Sequence, residues 1–171
     1  MLAELDLPVV LSARDVEVTL RAARAEDLDA LMALLSDDPI SAARGDTGVV
    51  ENRPAYARAL ARIEADPANT QLVVTSGDSV VGTMQLTVIP GLARAGADRL
   101  QIETVRVASG LRSSGIGAAM MRWVEEAAAP ALGVALIQLT SDAARVDAHR
   151  FYERLGYAPS HLGFKLRVPR A

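Results

Sequence analysis

The 171-residue chain has no cysteine, a single lysine and few aromatic residues. Without cysteine it can form no disulfide, no thiolate metal site and no covalent intermediate on a cysteine sulfur. Its one lysine is Lys165, and no Gly-x-x-x-x-Gly-Lys-Ser/Thr string occurs, which excludes a P-loop. Aromatic residues make up 4% of the chain and no basic run accompanies them, so the sequence predicts no nucleic-acid binding.

Long apolar runs are also missing. The longest, 127–137, is interrupted by a proline and a glycine and is shorter than the ~20 residues of a membrane span. Glu4 and Asp6 stand where a secretory signal would carry positive charge. The two histidines are far apart in the sequence and predict no metal site. We therefore expect a soluble, cytoplasmic chain, away from membranes, that forms one domain over residues 1–171.

Charge is distributed unevenly along the chain. Residues 1–98 hold 8 arginines and 15 acidic residues, whereas residues 99–171 carry a net charge of +4. The basic half favours an anionic ligand, and the acidic half favours a cationic one.

The most informative segment is 105–117, where an alternating apolar pattern runs into a loop of glycine and serine and then into a helical pattern. A strand, a small-residue loop and a helix N-terminus together form a socket for a diphosphate, because backbone N–H groups and the helix dipole both favour an anion. The loop lacks the third glycine of a dinucleotide-binding fingerprint. The candidate diphosphate-binding residues are Arg112, Ser113, Ser114, Gly115, Ile116, Gly117 and Ala118.

A second motif follows about 40 residues later, a separation that fits one helix and one strand. In 148–157, Ala-His-Arg-Phe-Tyr-Glu-Arg-Leu-Gly-Tyr, the apolar and aromatic residues fall on one helical face, and Gly156 is suited to end the helix. This segment resembles the A-x-x-F/L-Y-E-x-x-G-F/Y signature of the GNAT superfamily of N-acetyltransferases. Arg-x-x-Gly-x-Gly at 112–117 resembles the pyrophosphate loop of the same coenzyme A-dependent enzymes. The two motifs occur in the family's order and at its usual separation.

The resemblance implies a fold, a donor and a reaction. The fold is α/β (α+β), with a mixed, mostly antiparallel sheet of six to seven strands, splayed between strands 4 and 5 and flanked by about four helices. The donor is acetyl-CoA, a cosubstrate used without a metal, and the acceptor is a primary amine of a small molecule. The backbone of Val105 and Val107 would pair with the pantetheine arm of coenzyme A in the splay. Since there is no cysteine, we expect direct transfer in a ternary complex.

Hydrophobic periodicity places the individual elements. Strands are predicted at 16–22, 71–75, 79–89, 99–107, 134–139 and 162–168, and helices at 24–35, 54–65 and 118–129, with a last helix that ends at 155. Within 99–107 the apolar parity switches between Ile102 and Val105. The switch predicts either a β-bulge near Glu103 and Thr104 or a strand that is buried on both faces.

Acetyl transfer needs a base for the ammonium proton, donors for the oxyanion and a proton for the departing thiolate. The family resemblance makes Glu103 the candidate base and Tyr152 the candidate acid. By parity Glu103 shares a face with Val105 and Val107, unless a bulge rotates it. The alternative for Glu103 is a solvated surface glutamate, and the alternative for Tyr152 is a buried helix tyrosine with no catalytic part. Many family members have an asparagine seven residues before this tyrosine, where it orients the cofactor, and the chain departs from the family there with Arg145.

Three other functions stay open at this point. They are a protein or peptide N-acetyltransferase of the same fold, a non-catalytic acyl-CoA-binding sensor and a nucleotide-binding regulator. The sequence specifies neither the amine acceptor nor the oligomeric state, and a homodimer is compatible with it.

Overall fold

The computed structural model describes residues 2–14, 16–43 and 45–168. The chain divides into two units, residues 1–138 and residues 139–171. The expectation of one domain over residues 1–171 stays a prediction. No helix in the described ranges is long and apolar enough to cross a membrane.

The strands of the described residues form one six-stranded sheet, in which sequence order is also spatial order. They are β1 (Val9–Ser12), β2 (Glu17–Ala22), β3 (Asn69–Ser76), β4 (Ser79–Ile89), β5 (Arg99–Val107) and β6 (Leu136–Leu139). Each neighbouring pair from β1 to β5 is antiparallel. The mostly antiparallel α/β fold predicted from the sequence is therefore confirmed. The predicted splay lies between β5 and β6, which are the fourth and fifth of the predicted strands, and it stays a prediction.

Four helices of eight or more residues accompany this sheet in the described part of the chain. They are α1 (Leu28–Ser36), α2 (Arg53–Ala65), α3 (Ile116–Trp123) and α4 (Val146–Arg154). Proline at the start of α2 fits there because its missing N–H has no partner in a first helical turn. Beyond α3 the chain stays helical through a π-helical turn, Val124–Ala128, and a last short turn, Ala129–Ala131. All four helices lie at the predicted places.

Two strand predictions need correction. The short edge strand β1 was not predicted, because its four residues alternate weakly and only pairing with β2 makes them a strand. The predicted strand at 162–168 is wrong, since residues 158–168 form neither helix nor strand and are exposed. The alternating pattern of 162–168 fits a strand, but pattern alone supplies no neighbour for the backbone hydrogen bonds.

One face of the sheet is apolar. Leu86 of β4 lies opposite Ile102 of β5, and both are almost fully buried. Met120 of α3 covers this face at Gly82, where a Cβ would stand 3.6 Å from the methionine sulfur. Packing of α3 on the sheet thus fixes the start of that helix relative to the end of β5.

The opposite face is apolar at one end and polar at the other. Val73 of β3 packs with Leu28, Leu31 and Met32 of α1 and with Leu60 of α2. Residues in direct register lie on the same face of a sheet. Along β3, β4 and β5, the paired residues on this face are a row of polar side chains. We call this row the polar face; it consists of Asn69, Gln71, Gln85, Thr87, Gln101 and Glu103.

A buried carboxylate ties β2 to the start of α1. Asp27 is 5% exposed and receives two hydrogen bonds from the Arg21 guanidinium, at 2.7 and 2.8 Å, and one from the backbone N–H of Arg24, at 2.8 Å. The Arg21 hydrogen bonds, helped by the Arg24 N–H, lower the pKa of the Asp27 carboxyl below its ordinary value although burial opposes them. The carboxylate form therefore stabilises the folded protein.

We expect Asp27→Asn to lower the free energy of unfolding at pH 7 by about 2 kcal/mol, because it leaves the half-buried Arg21 without its counter-charge. The folded pKa is lowered, so the contribution is complete above the unfolded carboxyl pKa of about 4 and is lost as the pH falls through the folded value. Chemical unfolding between pH 7 and pH 3 should show a shallower acid loss for the variant than for the wild type. Asp29→Asn is the control, since its pair with Arg53 is exposed; equal losses in both variants would contradict the role of Asp27.

Candidate active site

The site is organised by a β-bulge in β5. Glu103 lies opposite Gln85 and Arg106 lies opposite Thr83, so Thr104 and Val105 together face the single residue Met84. Thr104 has φ of +52°, in the left-handed region that β-branched residues rarely adopt. The bulge predicted near Glu103 and Thr104 is confirmed.

The bulge decides which side chains share a face. Glu103 and Arg106 pair with β4 residues two positions apart and therefore belong to the polar side of the sheet. Val107 lies opposite Gly82, on the side that α3 covers. The expectation that parity puts Glu103 on one face with Val107 is corrected, because the extra residue reverses the alternation.

Glu103 is exposed at the end of the polar face. Its neighbours there are held by side-chain hydrogen bonds: the Gln85 amide donates to Asn69 at 3.1 Å, and the Gln138 amide of β6 donates to Gln101 at 2.7 Å. An exposed carboxylate in this position can accept a proton from a bound amine. Its role as base stays a prediction.

The loop after β5 has the geometry of an anion site. A 3-10 turn at Ser109–Leu111 is followed by two left-handed residues, Ser113 at φ +68° and Gly115 at φ +91°. The first hydrogen bond of α3 runs from the Ala119 N–H to the Gly115 carbonyl at 2.9 Å. The N–H groups of Ile116, Gly117 and Ala118 precede that bond and have no carbonyl to reach within the helix. Amides in this position suit an anion; the predicted binding of the coenzyme A diphosphate by this segment stays a prediction.

The β1–β2 turn supports this loop from behind. The Arg14 N–H donates to the Ser114 carbonyl at 3.1 Å, and the Ser114 hydroxyl donates to the Leu111 carbonyl at 2.7 Å. A Cβ on Gly115 would stand 2.8 Å from the Arg14 nitrogen. Gly115 is therefore required both for its positive φ and for the close approach of the turn.

Arg112 lies in a different setting from the one its sequence position indicates. Its guanidinium donates to the Asp37 carbonyl at 2.7 Å, just beyond the end of α1, and lies 3.6 Å from the Asp37 carboxylate. The same carboxylate accepts the Ser109 N–H at 2.7 Å. Asp37 thus holds the loop at two points across 72 residues of sequence. The local sequence could not have identified this role of Asp37, because a single polar residue after a helix gives no indication of a distant partner.

The second motif explains how Tyr152 is held within residues 139–171. Helix α4 ends in a Schellman arrangement: the Gly156 N–H donates to the Glu153 carbonyl at 2.9 Å, and the Tyr157 N–H to the Tyr152 carbonyl at 3.1 Å. Gly156 has φ of +91°, so the predicted C-cap is confirmed. The Tyr152 ring makes edge contacts with Tyr157, at 6.0 Å, and with Phe151, at 5.1 Å between centroids.

The start of α4 differs from the family pattern. Arg145 is the residue before the first helical residue, and its N–H donates to the Asp142 carbonyl at 2.9 Å. The Asp142 side chain accepts from the Ala144 N–H at 2.8 Å, so it closes a turn ahead of the helix. Among the predicted site residues, Glu103, Val105, Val107 and the segment 112–118 are brought together in residues 1–138, and Tyr152 belongs to the other unit.

Comparison with known proteins agrees with this geometry. The model of the acetyltransferase (GNAT) family matches residues 28–157. The matched residues include the bulged strand β5, the glycine loop and α3. The chain belongs to the GNAT acetyltransferase family.

Three relatives show the range of the similarity. An aminoalkylphosphonate N-acetyltransferase of Salmonella typhimurium is 41% identical over 64 residues, which are 37% of this chain and 41% of that enzyme. The crystal structure of a transcriptional regulator from Bacillus halodurans superposes with a TM-score of 0.83 at 38% identity, over 88% of this chain and 99% of that one. Glucosamine-6-phosphate N-acetyltransferase from Arabidopsis thaliana shares the fold, with a TM-score of 0.71 at 16% identity over 89% and 99% of the two chains.

We expect Gly115→Ala to weaken coenzyme A binding and to destabilise the fold by at least about 1 kcal/mol, because L residues resist positive φ and the new methyl group would meet the Arg14 backbone. Gly110→Ala is the matched control in the same loop, since its Cβ would meet nothing within 4 Å. Calorimetric titration with coenzyme A and thermal unfolding would measure both effects. Normal affinity in Gly115→Ala would show that the loop conformation is not needed for the donor.

Proposed function

We propose that this protein is an N-acetyltransferase that moves the acetyl group of acetyl-CoA to a primary amine of a small molecule by direct transfer. The observation that carries the proposal is the continuous arrangement from β5 to α3: Glu103 before the bulge, and free helix N-terminal amides after the glycine loop. Family membership supports the donor. The absence of cysteine supports transfer without an acyl-enzyme on sulfur.

The proposed division of labour follows the chemistry. The acetyl thioester, when bound, supplies an activated carbonyl carbon for the amine nitrogen to attack. The backbone amides of segment 112–118 hold the diphosphate, and the backbone of Val105 and Val107 holds the pantetheine arm. The N–H of the bulge at Val105 stabilises the negative charge that develops on the carbonyl oxygen.

Two side chains handle the protons. Glu103 removes the proton that the attacking ammonium must lose, directly or through a water, and Tyr152 donates a proton to the sulfur as the carbon–sulfur bond breaks. The C–N bond forms and the C–S bond breaks. Of the two protons that the ammonium nitrogen loses, one passes to Glu103 before the attack, and the other passes to the Tyr152 phenolate, which has given its own proton to the sulfur. The Salmonella relative suggests aminoalkylphosphonates as the first acceptors to test.

A second candidate function has a specific observation in its favour. The Bacillus halodurans structure, 38% identical over most of both chains, is that of a transcriptional regulator. An acyl-CoA-binding sensor would keep the glycine loop between β5 and α3 and would need no base or acid.

The function is tested by release of free thiol from acetyl-CoA in the presence of single amines: 2-aminoethylphosphonate, glucosamine, an aminoglycoside, spermidine and a short peptide. We expect amine-dependent thiol release with at least one small amine and formation of its N-acetyl product by mass spectrometry. Acetyl-CoA binding without release for any amine would favour the sensor, and release with the peptide alone would favour a peptide N-acetyltransferase.

The acid and base assignments are tested together by pH–rate profiles of kcat/KM. Glu103→Gln should lower the rate and abolish the acidic limb, because an amide cannot take up the ammonium proton. Tyr152→Phe should retain the acidic limb, lower kcat and leave the affinity for acetyl-CoA unchanged. An acidic limb that persists in Glu103→Gln would rule out Glu103 as the base, and an unchanged kcat in Tyr152→Phe would remove the tyrosine from the reaction.

A further inference from the structure

Strand β5 carries a second charged side chain in line with the candidate base. Arg99 lies opposite Ile89, Gln101 opposite Thr87 and Glu103 opposite Gln85. Positions two apart on a strand project to the same side. A cation, a neutral amide and a carboxylate therefore follow one another along the polar side of the sheet.

The Arg99 guanidinium has a donor that no described residue accepts from. The residue is half-buried, and its Nε is buried without a hydrogen-bond partner. Within the described ranges Arg99 forms no ion pair or other polar side-chain contact. A buried donor left unsatisfied costs free energy, so this arginine is poised to receive an acceptor group from a ligand.

The Arg99 guanidinium lies beside the β4–β5 connection. One terminal nitrogen of Arg99 lies 3.5 Å from the point where a Cβ on Gly91 would stand. Because residue 91 is glycine, the guanidinium borders backbone at that point and not a side chain. The connection itself is exposed at its tip, where Leu92 is 99% exposed.

The diphosphate of the donor cannot be the partner of Arg99. Arg99 is the first of the nine residues of β5, the loop follows the last, Val107, and a strand of this length spans roughly 25 Å. An anion at Arg99 must therefore belong to another molecule. The nearest proposed chemistry on this face is Glu103, four residues along the same strand.

We propose that Arg99 binds an anionic group of the acceptor and that this acceptor is a small zwitterion, an amine that also carries a phosphonate, phosphate or carboxylate. The inference rests on the proposed function, because it takes Glu103 as the place where the amine reacts. Between the two charges, the Gln101 side chain is fixed by the Gln138 amide at 2.7 Å and by its own bond to the Ile102 carbonyl at 3.2 Å. Gln101 is engaged by these bonds, so no charge stands between Arg99 and Glu103 in this row.

The arrangement selects acceptors by charge at both ends. A guanidinium forms strong, paired hydrogen bonds with a phosphonate or carboxylate. An uncharged amine of the same length would leave the buried Nε without a partner and would gain nothing from Arg99. Arg99 is thus a specificity-determining residue for the acceptor, with no part in donor binding.

The test compares Arg99→Gln and Arg99→Lys with the control Arg94→Gln, which removes an exposed arginine from the same connection. The probes are 2-aminoethylphosphonate, β-alanine and ethanolamine, which differ in the group opposite the amine. Calorimetry in the presence of coenzyme A gives the affinity of each probe, and thiol release gives KM and kcat. Thermal unfolding of each variant confirms that it is folded.

We expect Arg99→Gln to raise the Kd and KM of the preferred anionic amine at least about tenfold, since a charge-assisted hydrogen bond is lost. The kcat for that amine, the KM for acetyl-CoA and the kcat/KM for ethanolamine should stay within about twofold, and Arg99→Lys should recover part of the affinity. Arg94→Gln should behave as the wild type.

Two outcomes would overturn the inference while leaving the acetyltransferase proposal in place. One is a wild type that releases thiol with ethanolamine as readily as with either anionic amine. The other is an equal loss in Arg99→Gln and Arg94→Gln. A wild type that binds acetyl-CoA but acetylates no amine would instead refute the proposed function; calorimetry would still decide on Arg99, because the absence of Arg99-dependent binding of both anionic probes refutes the subsite.

Discussion

The extra residue in β5 is the constraint on which the rest of the site depends. Without it, strict alternation would put Glu103 and Val107 on the same side of the sheet. With Thr104 in the left-handed region, the strand reverses its alternation between Glu103 and Val107. One short strand can then present Glu103 with the polar face on one side and pack against α3 on the other.

Three contacts hold the loop between β5 and α3, residues 108–115. Packing of Met120 at Gly82 fixes α3 on the sheet, Arg14 supports Ser114 from behind, and Asp37 binds both Ser109 and Arg112. Arg112 is engaged by Asp37, so the positive charge that the sequence assigns to the diphosphate also links the loop to the end of α1. The first amides of α3, those of Ile116, Gly117 and Ala118, lie ahead of the first hydrogen bond of the helix and suit an anion.

Local patterns predicted much of this arrangement. The bounds of β4 and β5, the bulge and the glycine end of α4 follow from alternation, its reversal and the need for positive φ. The edge strand β1 and the absence of a strand at 162–168 could not be predicted, because a short strand exists only where a neighbour accepts its hydrogen bonds. Asp37 and Arg99 could not be identified from the sequence for a similar reason. The role of Asp37 depends on its hydrogen bond with Ser109, 72 residues away, and that of Arg99 on a buried Nε without a hydrogen-bond partner among the described residues.

The hydrogen bond between Arg14 and Ser114 connects the edge strand β1 to the loop before α3. Strands at the edge of a sheet open more easily than central ones, and their opening is a local equilibrium. Under the proposed function, the loop would bind the acyl carrier best while β1 is paired, so fraying of that edge and binding of the carrier would oppose each other. By reciprocity, a saturating carrier would slow amide hydrogen exchange in β1 by the factor by which fraying weakens its binding.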